Sequence, residues 1–233
     1  MLFYEYISEY TIVLNELDYI EIALWFISIG IMAVLGIKYF QLAKSLNKNA
    51  VYIGLFFYFF IAGRICRLVA KFIIGYEYGF FEFTGILLIL AILYTFSTYI
   101  GLFFVYFFIE HGIVKKTHYI FSGLVIAATI LSIINYAFPA TMIILAPIYI
   151  VVLLGLPLIF INLAVKSSGS IRRNSLLVAV GIILFVFGVA FDVPEAASIW
   201  INIPGMRQFT KFASPLLQIV GSLMIYKGFP KEV

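Results

Sequence analysis

Charge is scarce in this chain. Asp, Glu, Lys and Arg make up 11% of its 233 residues, against roughly 25% in soluble domains. The deficit is filled by apolar side chains, which account for 64% of the residues, and the mean hydropathy is +1.14. No soluble fold of this size could hide so much apolar surface, so a globular cytosolic class is excluded. A single cysteine, Cys66, rules out an intrachain disulfide. Histidine is almost as rare: His111 and His118 stand beside Glu110 in a basic loop. A catalytic zinc centre usually takes three protein ligands, so no metal is expected here. No G-x-S-x-G, H-E-x-x-H or G-x-x-x-x-G-K-[ST] occurs, so no acid–base pair, cofactor cradle or metal cluster can be assembled. The chain is read as a non-enzyme with no cofactor. Its opening, MLFYEYISEY, is acidic and lacks a basic region, so a cleaved signal peptide is not expected.

What is present is a series of apolar runs near 20 residues long. They fit transmembrane helices and not the alternating ten-residue strands of an outer-membrane barrel. Seven spans are expected, at about 21–40, 50–74, 84–108, 119–138, 142–165, 175–191 and 212–226. Residues 1–19 are acidic with helically spaced apolar positions, which suits either an interfacial helix or an acidic tail. A very short turn at Pro139 makes the fourth and fifth spans antiparallel neighbours, and Pro147 and Pro157 are expected to kink the fifth. No loop could hold a further domain, so residues 1–233 form one all-α unit.

The formal net charge of +4 does not point to nucleic acid, because the cations sit where membrane topology places them. Lys38, Lys44, Lys48, Lys115, Lys116, Lys166, Arg172, Arg173, Lys227 and Lys231 fall on one side, ten of the fifteen cations. Glu110 and Glu232 are the only acids with them. The positive-inside rule then predicts an outside N-terminus and a cytoplasmic C-terminus in a multi-pass protein of the cytoplasmic membrane.

The second span carries the exception that needs explaining. Within FFYFFIAGRICRLVAKF, residues 56–72, three cations are set into an apolar helix. At 100° per residue Arg64 and Lys71 nearly align, with Arg67 about 60° to one side. A helix entering near Ala50 puts Arg64 about 21 Å and Arg67 about 25 Å deep. On insertion scales a central arginine costs roughly 2.5–3.5 kcal/mol, whereas a Leu, Ile or Phe returns about 0.3–0.6. The stripe must therefore face protein or water, with acidic or carbonyl partners. Asp192 and Glu195 at the outer end of the sixth span and Glu21 at that of the first are at compatible depth, as are Glu77 and Glu82 in the first outer loop. The candidate set is thus Arg64, Arg67, Lys71, Asp192, Glu195 and Glu21. It fits either a buried ion-pair cluster locking helices together or a pocket for a small, anionic ligand; snorkelling of Arg67 and Lys71 is the remaining reading.

Other seven-helix classes fit less well. A voltage sensor needs more gating charges than two arginines supply. A retinal protein needs a lysine midway along the last helix, whereas Lys211 lies at its outer edge. Receptors coupled to G proteins would show N-P-x-x-Y in the seventh helix, and seven-helix zinc hydrolases of the ceramidase type need several distributed histidines. Small sugar transporters repeat prolines in both halves, but here Pro147 and Pro157 share one span. The stretch SSGSIRRNSLLVAVGIILFVFG, residues 167–188, resembles the basic loop and sixth helix of the seven-helix sensor region of prokaryotic histidine kinases. That resemblance implies a sensor bundle, here without a kinase domain, that passes its signal to a separate cytoplasmic partner. The sequence therefore predicts a sensor- or receptor-like bundle binding a small ligand in its outer half. A small-solute transporter is the alternative, and a structural or assembly subunit, which would bury the charge stripe without leaving a cavity, is a third.

Overall fold

The structure, a computed structural model, describes residues 16–45, 48–73, 85–114, 117–192, 203 and 205–229. Seven long helices fill these residues. They are α1 (Glu16–Ser45), α2 (Ala50–Leu68), α3 (Ile86–Gly112), α4 (Ile120–Asn135), α5 (Met142–Lys166), α6 (Gly169–Asp192) and α7 (Met206–Gly228). A π-helical turn, Val69–Ile73, continues α2, and a 3₁₀ turn, Pro139–Thr141, leads into α5. The chain is thus a helical membrane protein, with five helices long and apolar enough to cross a bilayer: α1, α2 with its π turn, α3, α5 and α6.

The other two differ from the expected spans for separate reasons. α4 keeps its apolar character but stops at Asn135, three residues short of the expected Phe138, and is only 16 residues long. α7 is long enough at 23 residues but carries Thr210, Lys211, Ser214, Gln218 and Ser222, all buried, which lowers its average hydropathy. α6 starts at Gly169, six residues earlier than the apolar pattern suggested. Arg172 and Arg173 therefore belong to its first turns and not to a loop. α5 runs unbroken through both prolines. Of the acidic N-terminal segment, only residues 16–19 are described, as the first turn of α1.

Each helix packs on the next in sequence, and α7 returns to pack on α1, closing a ring. Across the ring α2 meets α6, with Phe56 and Phe60 set against Phe185 at ring-centroid distances of 5.6 and 4.6 Å. α3 reaches α5 where the Tyr106 hydroxyl donates to the Val152 carbonyl at 2.5 Å. The outward faces carry side chains such as Phe26, Val34, Ile143, Leu154 and Leu158, all more than half exposed. So much apolar surface turned outward is stable only against an apolar solvent.

The tightest seam lies between α6 and α7. A Cβ on Gly221 would come within 2.6 Å of the Gly181 carbonyl oxygen, and one on Gly188 within 2.8 Å of the Ser214 carbonyl. Small residues let two backbones approach this closely, which is how membrane helices gain van der Waals contact without a hydrophobic driving force. At the basic end Glu110, expected in a solvated loop, is buried against the start of α4. Its Oε1 accepts the Phe121 N–H at 3.0 Å, and its Oε2 accepts the Ser122 N–H at 2.9 Å and the Ser122 hydroxyl at 2.5 Å. A carboxylate on exposed helical N–H groups is a strong cap. It also commits the acid that, among the described residues, stands near His111 and His118.

Two outcomes follow for the detergent-solubilised protein. Gly221→Ala is expected to destabilise by about 1–3 kcal/mol through overpacking, whereas Gly30→Ala, whose Cβ meets nothing within 4 Å, is neutral or slightly stabilising. Glu110→Ala is expected to cost about 1.5–3 kcal/mol, because it removes charge-assisted acceptors from the start of α4. Thermal unfolding of the four proteins, wild type included, checks both.

Candidate functional site

The cations of α2 arrive at one end of the ring, opposite the basic end, together with acids from α1 and α6. Arg64 is 1% exposed. Its Nη1 donates to Asp192 Oδ2 at 2.5 Å, and its Nη2 reaches the Tyr94 hydroxyl at 3.5 Å. The guanidinium also lies over the rings of Phe60, Trp25 and Tyr94, at 4.8, 5.3 and 5.4 Å from their centroids. One ionic partner and three aromatic faces thus replace water around a charge that lipid could not accept. Arg67 shares the same acid: its Nε lies 3.8 Å from Asp192 Oδ2 and its Nη2 donates to the Asp192 backbone carbonyl at 3.3 Å.

The π turn follows directly, and Lys71 within it pairs with Glu21. Glu21 is held in turn by the indole N–H of Trp25 at 3.3 Å. A third pair joins α1 to α7, with Lys211 Nζ 2.5 Å from Asp18 Oδ1. Five of the six residues predicted from the sequence, Arg64, Arg67, Lys71, Asp192 and Glu21, are therefore brought together. Glu195 lies outside the described residues, as do Glu77 and Glu82. Sequence reasoning missed Asp18 and Lys211. Asp18 stands one turn before Glu21 on the same face of α1, a spacing of three residues that could have found it.

A cavity of about 280 Å³ opens beside this cluster, enclosed by α2 to α6. Arg67 and Cys66 of α2 stand in its wall. Along α3 its lining runs from Leu87 to Leu102, about 22 Å by helical rise. The wall is mostly apolar, but its polar groups are organised. The Thr95 hydroxyl meets the Tyr136 hydroxyl at 2.7 Å, and the Ser132 hydroxyl meets that of Tyr149 at 2.8 Å. Tyr149 stacks on Tyr99 with ring centroids 5.8 Å apart. Thr98, 8% exposed, also lines the cavity, and its Oγ1 has no hydrogen-bond partner among the described residues.

No protein-family model matches the chain, and no curated protein or solved structure matches it either. The chemistry of the site is therefore read from its own residues. Among the described residues no group of three or more His, Cys, Asp or Glu is placed to hold a metal ion. Among the described residues Arg67 is the one charged side chain in the cavity wall, and no carboxylate or imidazole lines it. Concave, mostly apolar walls with a few placed polar groups are the usual form of small-molecule sites. Arg67 is also the single residue of the predicted set that belongs to both the cavity and the ion cluster.

The ion pair between α2 and α6 yields a double-mutant test. Asp192→Asn leaves two buried guanidinium groups short of their carboxylate and is expected to cost about 3–5 kcal/mol. Arg64→Gln is expected to cost a similar amount. The double variant R64Q/D192N should lose clearly less than the sum, a coupling measurable as Tm or as resistance to detergent.

Proposed function

We propose that this protein is a sensor- or receptor-like bundle of the cytoplasmic membrane, taking a small, largely apolar ligand with a polar or anionic group into the cavity beside Arg67. In this reading all seven helices cross the bilayer. The short α4 is completed by its flanking turns, and α7 turns its polar face inward. The end bearing Lys38, Lys44, Lys166, Arg172, Arg173 and Lys227 faces the cytoplasm, so the ligand enters from the outer half.

The observation that carries the reading is the position of Arg67. It brings a charge into the wall of a mostly apolar cavity while donating to the backbone of the last residue of α6. A ligand that draws this guanidinium toward itself competes with Asp192 and biases the junction of α2 with α6. Occupancy thereby becomes a change in helix packing, which is what a sensor requires. A structural subunit would have no use for such a space. One feature favours transport as the second reading: α5, which lines the cavity through Tyr149 and Leu153, carries two prolines, each of which removes a backbone hydrogen bond and weakens the helix as a rod.

Cys66, the sole thiol, lines the cavity and reports on it. A small methanethiosulfonate reagent is expected to label it in the wild type. Ala91→Trp, which fills the cavity, should slow labelling at least tenfold without lowering Tm appreciably. Compounds that raise Tm should also protect the thiol. Equal labelling rates in both proteins would remove the pocket. Labelling that switches between the two membrane faces with added solute would favour the transporter.

A further inference from the structure

A second, independent feature lies at the opposite end of the bundle, on the lipid side of the α6–α7 seam. A shallow groove of about 400 Å³ is lined by Gly169, Arg172, Arg173, Leu176, Val180 and their neighbours on α6, with Met224 of α7. On a helical wheel Gly169, Leu176 and Val180 fall within about 40° of one line, and Arg172 and Arg173 flank that line on either side. Gly169 leaves the head of the track open, because a Cβ there would meet nothing within 4 Å. Leu176 and Val180, each 42% exposed, carry the track to about 16 Å from Gly169, toward the middle of the bilayer. Both arginines are exposed, and among the described residues no carboxylate pairs with either.

We propose that this groove is a binding site for one anionic phospholipid of the adjacent leaflet. The phosphate lies over Gly169 between the two guanidinium groups, and one acyl chain follows Leu176, Val180 and Met224. Charge complementarity selects this occupant: two unpaired arginines stand at headgroup depth above an apolar track that continues in the direction of the acyl chains. Among the described residues a second protein copy offers these charges no available acid at this end, since Glu110 is already committed to capping α4. The site rests on the chain being embedded in a membrane and on nothing concerning the cavity. Its failure would leave the sensor reading untouched.

Native mass spectrometry of the purified full chain in detergent provides the test, using phosphatidylglycerol and phosphatidylcholine of matched chain length. With about 1 kcal/mol of attraction per basic residue near an anionic surface, phosphatidylglycerol should be retained roughly tenfold or more over phosphatidylcholine. R172Q/R173Q should bring that preference within about twofold, while K44Q/K48Q, an equal charge change elsewhere at the same end, leaves it in place. The site is overturned if the arginine variant keeps the preference. It is equally overturned if both double variants lose it alike, or if the groove proves to be occupied by a second copy of the chain.

Discussion

The structure depends on one requirement: a guanidinium group buried deep in an apolar bundle must never meet hydrocarbon. Arg64 satisfies it with the carboxylate of Asp192 and with three aromatic faces. Those partners come from α1, α2 itself, α3 and α6, so meeting the electrostatic demand fixes the relative positions of four helices. The remaining pairs extend the same logic. Glu21 with Lys71 ties α1 to α2, and Asp18 with Lys211 ties α1 to α7. In a low-dielectric interior such pairs specify an arrangement more than they stabilise it, because much of their attraction is spent on desolvation.

This cluster gives the bundle a polarity of design. One end holds buried charge and the cavity. The middle is an aromatic and aliphatic core in which Phe56, Phe60 and Phe185 span the ring. The other end holds exposed cations and the capped start of α4. Arg67 is where the first of these regions turns from scaffold to site, since the same guanidinium that braces Asp192 also faces the cavity.

The helical fold was legible from the apolar runs, because length and hydropathy suffice to mark a helix that lies in lipid. α4 and α7 escaped that logic in opposite ways. α4 is apolar but short, and α7 is long but hides a polar face in the bundle, so neither matches a rule based on average hydropathy over a full span. The charge stripe was legible too, since the cost of an arginine in hydrocarbon can be stated without coordinates. Its partners were legible only as a depth class. Asp192 and Glu21 stood in that class together with Glu195, Glu77 and Glu82, with no pairing assigned, and Asp18 and Lys211 come together across 193 residues of chain. A pocket beside the stripe was one reading of the sequence, but the residues that wall the cavity, Arg67 apart, were not named. Its wall is assembled from mostly apolar residues of five helices, with hydroxyl groups from separate segments meeting only in the fold. Glu110 looked like a loop acid because only the fold brings the start of α4 over it.

The glycine seam between α6 and α7 has a mechanical meaning. With backbone carbonyls only a Cβ's width from the facing helix at Gly181, Gly188 and Gly221, neither helix can slide without shearing the other. The two therefore behave as one stiff strut, anchored at its top by Asp192 on one limb and Lys211 on the other. A push delivered to Val186 or Val189 in the cavity wall would not dissipate within α6. It would be carried down both limbs together, to Arg172 and Arg173 on one and Lys227 on the other, at the far face of the protein.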